Sequence, residues 1–267
     1  MMNRRLLDLR RRPKIAFKSQ RPSFWELLEV LHQPAPHSAV PNFNAETQAL
    51  EIRFAEGGKR IRKVVRRSNY RMTGKYSSLK NGRMMQWESS NEKMAFEILE
   101  AHPMVASYCE QPAEIRYRDE LENERLHYPD ILVEMKSGSR GFLEIKPESD
   151  ADDPELMVRT TLLSKQLQVK GYSYFLVTSD QIESEEYLAN AQHLVHQSRR
   201  VKTVPPWEII RKAFQSQASL TLTTLIKQLN HPSARSWVCK LILAGDLVFD
   251  QSQPFDGETL INWIQGA

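Results

Sequence analysis

The sequence predicts an α/β protein, a core with one mixed central sheet flanked by helices, followed by a small α+β unit. Three observations carry this. A helical period over Ser90 to Ala101, stopped by Pro103, leads into a series of short strand patterns. A second helix from about Pro154 to Val169, with proline suited to its first turn, ends near Gly171. Directly after it comes Tyr172-Ser173-Tyr174-Phe175-Leu176-Val177-Thr178, an apolar and β-branched run that reads as a buried strand.

Taken in order, Pro13 to Gln48 is rich in Pro, Ser and Asn and reads as an arm, with one short helix at Phe24 to Leu31 opened by Ser23. From Leu50 to Arg67 the alternation predicts a hairpin turned at Gly57-Gly58, with a basic exposed face. Thr73 to Gly82 is a turn-rich connector. The helix at Ser90 places Met94, Ala95, Ile98 and Leu99 at core spacing. Strands are expected at Met104–Cys109, Ala113–Tyr117, Ile131–Met135 and Gly141–Ile145, the last two joined by a tight turn. After Asp180 a polar helix through Tyr187 to His196 leads to a basic linker, Ser198 to Thr203, closed by Pro205-Pro206. Two helical patterns, Leu220–Leu229 and Ser233–Ala244, then precede a hairpin of Gly245–Asp250 with Glu258–Ile261, the outline of a winged helix. The expected division is therefore a basic arm and hairpin (1–72), a catalytic core (73–182), and a linker with a winged-helix-like domain (183–267).

The net charge of +4 conceals an asymmetry. Residues 1–87 hold 19 Lys and Arg against 6 Asp and Glu, leaving 18 against 27 for residues 88–267. The basic third is the part that seeks a polyanion. Its densest stretch supplies Lys59, Arg60, Arg62, Lys63, Arg66 and Arg67, side chains of the type that neutralise phosphates, and Lys75 and Lys80 extend the set. A solvated surface would give similar statistics. No apolar run approaches the roughly 20 residues of a spanning helix, so no membrane is expected and a cytoplasmic location follows. Cys109 and Cys239 lack the number and spacing of a disulfide framework or zinc site.

Chemistry concentrates in one place. Pro129-Asp130 opens one strand of the second hairpin and Glu144-Ile145-Lys146 closes the other, with 13 residues between Asp130 and Glu144. Across a tight antiparallel turn that spacing lets the two carboxylates face one another. Residues 144 and 146 share a strand face while Ile145 enters the opposite, apolar side. Carboxylates to hold Mg²⁺, with an ammonium to align water and steady developing charge, are what phosphodiester hydrolysis needs. This is the PD-(D/E)xK pattern, although an isolated E-x-K triplet is more often an ordinary surface pair at a strand end.

Between about residue 73 and residue 178 the chain resembles the TnsA-type endonuclease subunits of heteromeric transposases, within the restriction-endonuclease-like superfamily. The matching pieces are Thr73-Gly74-Lys75 through Ser78-Leu79-Lys80, Trp87-Glu88-Ser89-Ser90-Asn91-Glu92, Glu110-Gln111-Pro112, His127-Tyr128-Pro129-Asp130-Ile131-Leu132-Val133, Leu143-Glu144-Ile145-Lys146 and Gly171-Tyr172. The resemblance implies a restriction-endonuclease-like core with Glu92 as the helix-borne acid (Glu88 is its rival), Asp130 and Glu144 as metal ligands, Ile145 contributing its backbone carbonyl, and Lys146 as the catalytic lysine. Some relatives carry Gln where this chain has Glu144. It also implies Mg²⁺, with Mn²⁺ as substitute, and nicking of double-stranded DNA at the 5′ ends of a transposon. The implied partners are a DDE-family transposase and an AAA+ ATPase regulator. The C-terminal unit would bind DNA or those partners, with Arg235 and Lys240 on its second helix facing DNA in the first case.

Two rival readings share these residues: a restriction, repair or phage nuclease of the same fold, and a non-catalytic DNA-binding regulator. The seven histidines show no spacing that would close a zinc site, and His127 and Tyr128 beside the acidic pair read as packing residues, with phosphate contact as the alternative. Trp207, Trp237 and Trp263 read as core of the C-terminal unit. No nucleophile elbow, phosphate loop or dinucleotide fingerprint is present.

Overall fold

The structure, a computed structural model, describes residues 21–33, 50–58, 60–61, 72–203 and 207–264. At its centre is a four-stranded mixed sheet of β4 (Val105–Glu110), β7 (Ile131–Met135), β8 (Arg140–Lys146) and β9 (Tyr172–Thr178), in the order β4-β7-β8-β9. The first three strands are antiparallel; β9 joins β8 in parallel, with Glu144 beside Leu176 and Lys146 beside Thr178. A parallel neighbour demands a crossover, and α3 (Pro154–Val169) provides it, capped by the Asp153 side chain and ended by Gly171 in the left-handed region.

Strand alternation sorts the two faces of this sheet. Ile131, Val133, Met135, Leu143 and Ile145 pack with α1 (Phe24–His32), α2 (Ser90–Ala101), Ile182 of α4 (Ser179–Ile182) and Val195 of α5 (Glu185–Ser198) in the larger core. Leu132, Phe142, Tyr172 and Tyr174 face the other way, against Leu163 and Leu167 of α3 and Ala113 and Ile115 of β5 (Ala113–Arg118). Because Glu144 lies between Leu143 and Ile145, its side chain falls on the α3 side. The sequence period of α2 accounts for Ala95, Ile98 and Leu99, but the helix also buries Phe96, Glu97 and Glu100, so it is enclosed on most sides.

Three expectations need correction. The segment carrying α1 is no arm: Phe24, Trp25, Leu28 and Leu31 are buried in the main core, each contributing roughly 1.5–3 kcal/mol. Among its described residues Leu50 to Arg67 forms no local hairpin: β1 (Glu51–Phe54) pairs with β5, beside β6 (Glu124–His127), and residues 62–71, where the returning strand was expected, lie outside the described residues. The connector Thr73 to Gly82 contains β2 (Gly74–Ser78), which forms a hairpin with β3 (Arg83–Trp87). Gly74 is required there because an added Cβ would stand 2.3 Å from the Trp87 ring.

The C-terminal unit comprises α6 (Trp207–Ala213), β10 (Ser219–Thr221), α7 (Leu222–Leu229), α8 (Ala234–Ala244), β11 (Leu247–Val248) and β12 (Leu260–Trp263), with a small sheet ordered β10-β12-β11. It has its own core around Leu222, Leu225, Val238, Leu241 and Ile261. Trp237 is buried beside that cluster, stacked on His231 and donating to the Thr203 hydroxyl at 3.1 Å, whereas Trp207 is 40% exposed and meets Trp263 edge-on. Helix α5 serves both cores, giving Ala191 and Val195 to the first and Leu194 to the second. Among the described residues no helix is long and apolar enough to cross a membrane.

Candidate active site

The antiparallel register pairs Ile131 with Leu143, so one step outward Asp130 stands opposite Glu144 on the α3 face of the sheet. Asp130 Oδ2 accepts the Ile145 amide at 2.8 Å, which ties the start of β7 to the end of β8. Its other oxygen has no hydrogen-bond partner among the described residues. Both carboxylates and Lys146 line a cleft of about 770 Å³, walled by Glu88 to Glu92, Gln111, His127, Tyr128, Asp150 and Arg159.

Glu144 is 3% exposed and carries four contacts. Oε1 meets Lys146 Nζ at 2.7 Å and Arg159 Nη2 at 3.2 Å; Oε2 meets His127 Nε2 at 3.2 Å and the Tyr174 hydroxyl at 3.5 Å. Tyr174 and His127 also hydrogen-bond each other at 2.9 Å. Burial alone would raise the Glu144 carboxyl, but the His127 contact and the Lys146 charge outweigh it and hold the group below the usual carboxylate range. Asp130 is pushed the other way, above that range, by burial and then by the Glu144 charge beside it. For Lys146 burial works to lower the ammonium, yet Glu144 and Asp130 together leave it raised and charged.

Two carboxylates with opposed tendencies, one with an oxygen free toward a cleft, fit a hard divalent cation that prefers oxygen ligands. Among the described residues no group of three or more His, Cys, Asp or Glu could hold a metal unaided, so water and phosphate oxygens would have to complete the shell.

The structure thus brings Asp130, Glu144 and Lys146 together and places Ile145 between them. Glu92 reaches the cleft wall, but its carboxylate serves the start of α2. It accepts the Glu88 amide at 2.9 Å and the Ser89 hydroxyl at 3.1 Å, while Ser89 caps the Glu92 amide. Burial keeps its carboxyl raised. Its rival Glu88 is held by Arg60 and, at 3.0 Å, by the Gln111 amide group.

The expected DNA contacts separate. Lys75 is exposed on β2. Arg60 is turned into the protein, onto Glu88, Gln86 and Gln111. Lys80 is also turned inward: its ammonium donates to the carbonyls of His102 at 2.6 Å and Val105 at 2.8 Å, which takes it off the outer surface. Arg235 and Lys240 are half-buried on α8, Lys240 reaching the Thr203 carbonyl at 3.4 Å. Lys59, Arg62, Lys63, Arg66 and Arg67 lie outside the described residues.

Sequence reasoning missed Arg159 and Tyr174. Tyr174 could have been found, since it alternates with Phe142 and Glu144 across a parallel pair. A single arginine in a capped helix carries no comparable signal.

A hairpin presenting Asp130 opposite Glu144-Ile145-Lys146, in a mixed sheet covered by helices, fits the restriction-endonuclease-like class of nuclease core. Residues 102–217 match the family model described as TnsA-like endonuclease N terminal. The match agrees with the resemblance in sequence and supports a TnsA-type endonuclease with a nuclease role in transposition. The matched stretch includes Asp130, Glu144 and Lys146 and begins after Glu92. Comparison with curated proteins finds no match.

Proposed function

We propose that this protein is a Mg²⁺-dependent DNA endonuclease that nicks the 5′ ends, the non-transferred strand, of a transposon. It would act beside a DDE-family transposase, with an AAA+ ATPase as regulator. The observation that carries this reading is the pairing of Asp130 with Glu144 on one sheet face, with Lys146 reaching back to Glu144 at 2.7 Å. Asp130, Glu144 and the Ile145 carbonyl would hold Mg²⁺, or Mn²⁺ in its place; a bound cation supplies an activated water and neutralises charge on the phosphate. Lys146 stays protonated and is positioned to steady charge on the attacked phosphate, while Asp130 is fixed by the Ile145 amide. Glu92, at the cleft wall, would support the site as its helix-borne acid. The order of helices and strands from α6 to β12 supports reading this unit as a winged helix, which would bind DNA or the transposase.

The test is a nicking assay on transposon-end duplex with the transposase and Mg²⁺, comparing wild type with Asp130→Ala. Strand-specific nicks at the 5′ ends are expected from wild type only. Equal cutting by the two proteins removes Asp130 from the chemistry, and unaided cutting by the purified chain favours a restriction-type enzyme.

A further inference from the structure

Arg159 projects from α3 into the cleft, and its present contacts leave it poorly served. One nitrogen, Nη2, reaches Glu144 Oε1 at 3.2 Å, and that same oxygen is already taken by Lys146 at the shorter distance of 2.7 Å. The Nε–H is buried and has no hydrogen-bond partner among the described residues. An unmatched buried donor on a charged group is costly, because it gives up water without gaining an acceptor. A guanidinium is best satisfied by a planar two-oxygen acceptor that takes Nε–H and an Nη–H together, which is the geometry of a phosphate. Glu144 offers it one shared oxygen.

We propose that Arg159 binds the phosphodiester to be cut, and that its contact with Glu144 is the resting arrangement it leaves when DNA enters the cleft. The proposal rests on the nuclease reading above and adds a substrate-binding residue to it. Lys146 alone is enough to keep Glu144 paired once Arg159 moves. Arg159 lines the same cleft as Asp130, Glu144 and Lys146, so the phosphate meets positive charge from α3 while the carboxylates stay with β7 and β8.

The experiment measures single-turnover nicking, with transposase and Mg²⁺, by wild type, Arg159→Ala, Arg159→Gln and Arg159→Lys. The substrates are ordinary transposon-end DNA and DNA with one Rp or Sp phosphorothioate at the mapped nick. Arg159→Ala should slow ordinary DNA by about 100-fold, the loss typical for one donor to a developing anion. It should also lose the wild-type sensitivity to sulfur at one of the two positions. Arg159→Gln guards against a folding defect in the alanine variant, and Arg159→Lys should recover only part of the rate because it cannot donate two parallel bonds. Calorimetric Mn²⁺ titration without DNA should show no loss of affinity in Arg159→Ala. An unchanged nicking rate, an equal slowing on all three substrates, or a tenfold weaker Mn²⁺ site would each overturn the proposal while leaving the nuclease reading intact. Absence of any nicking by wild type overturns both.

Discussion

The amide of Ile145 donates to Asp130 Oδ2 at 2.8 Å, so the residue between Glu144 and Lys146 holds the carboxylate that faces them. The E-x-K triplet therefore does two things: its outer residues face the cleft, and its middle residue anchors the partner strand while its side chain enters the core. Register and site are the same structural fact.

Asp130→Asn separates these roles. The amide oxygen can still accept the Ile145 N–H, so the fold should persist while nicking is lost. Burial and the Glu144 charge raise the Asp130 carboxyl, so the folded protein keeps its proton at a pH where the unfolded chain releases it. Stability from this group is thus present below the ordinary carboxylate value and is lost as pH rises above it. Asp130→Asn should melt higher than wild type at about pH 8 and show a flatter pH dependence, with roughly 2–4 °C for each kcal/mol recovered. A lower melting temperature than wild type at that pH would show that the carboxylate is a net stabiliser.

Glu100 makes a sharper stability test, well away from the cleft. It is 2% exposed and accepts four hydrogen bonds: from the Ser78 hydroxyl at 2.8 Å, the amides of Leu79 at 2.7 Å and Lys80 at 3.0 Å, and the Tyr108 hydroxyl at 2.6 Å. Glu100→Ala strands these donors and should cost about 3–5 kcal/mol in urea unfolding. A change under 1 kcal/mol would mean that the β2–β3 turn repacks without it.

How much of this was legible in sequence follows the range of the forces involved. The bounds of α2, α3, β7 and β9 were readable because helix and strand periods, Pro154 and Gly171 are local signals. The Asp130–Glu144 pairing was readable because a tight turn fixes register within a few residues. The partner of β1 was not, since a hairpin assumes the nearest strand and the actual neighbour lies far along the chain. Gly74 looked like a turn residue by composition; it is needed in a strand because a tryptophan ring approaches its backbone. Arg159 and the inward turn of Lys80 depend on which way one side chain points, which no period encodes.

Lys80 yields a pH prediction. Burial lowers its ammonium to about 7, with Lys136 adding to that and Glu100 opposing it. A depressed lysine penalises the folded state while charged, so stability should climb as pH rises from about 7 toward the ordinary value of 10.5. Lys80→Met should flatten that climb in thermal melts, and the salt dependence of DNA binding should not change. Exposed Lys75→Ala should instead lower the salt slope by about 1 if it contacts phosphate. A slope changed by Lys80→Met would restore Lys80 to the DNA-binding surface.

The loop from Asp250 to Phe255, between the last two strands, is hydrogen-bonded to α5 through the Asn190 side chain, with His193 of the same helix against the Phe255 ring. Asn190 is 3% exposed; its Nδ2 donates to the carbonyls of Gln251 at 3.0 Å and Gln253 at 2.9 Å, and its Oδ1 accepts the Phe255 amide at 3.0 Å. Leucine has a similar size and none of these bonds, so Asn190→Leu leaves three backbone groups unpaired, at about 1–3 kcal/mol each where they stay dry. The C-terminal unit should loosen first, because its small core supplies fewer buried side chains than the sheet that carries Asp130. Hydrogen exchange should show the Phe255 amide opening at least tenfold faster in the variant, with the amides of β7 and β8 still protected. Uniform loss of protection across both cores would instead make α5 a single cooperative strut, and the C-terminal unit inseparable in stability from the nuclease core.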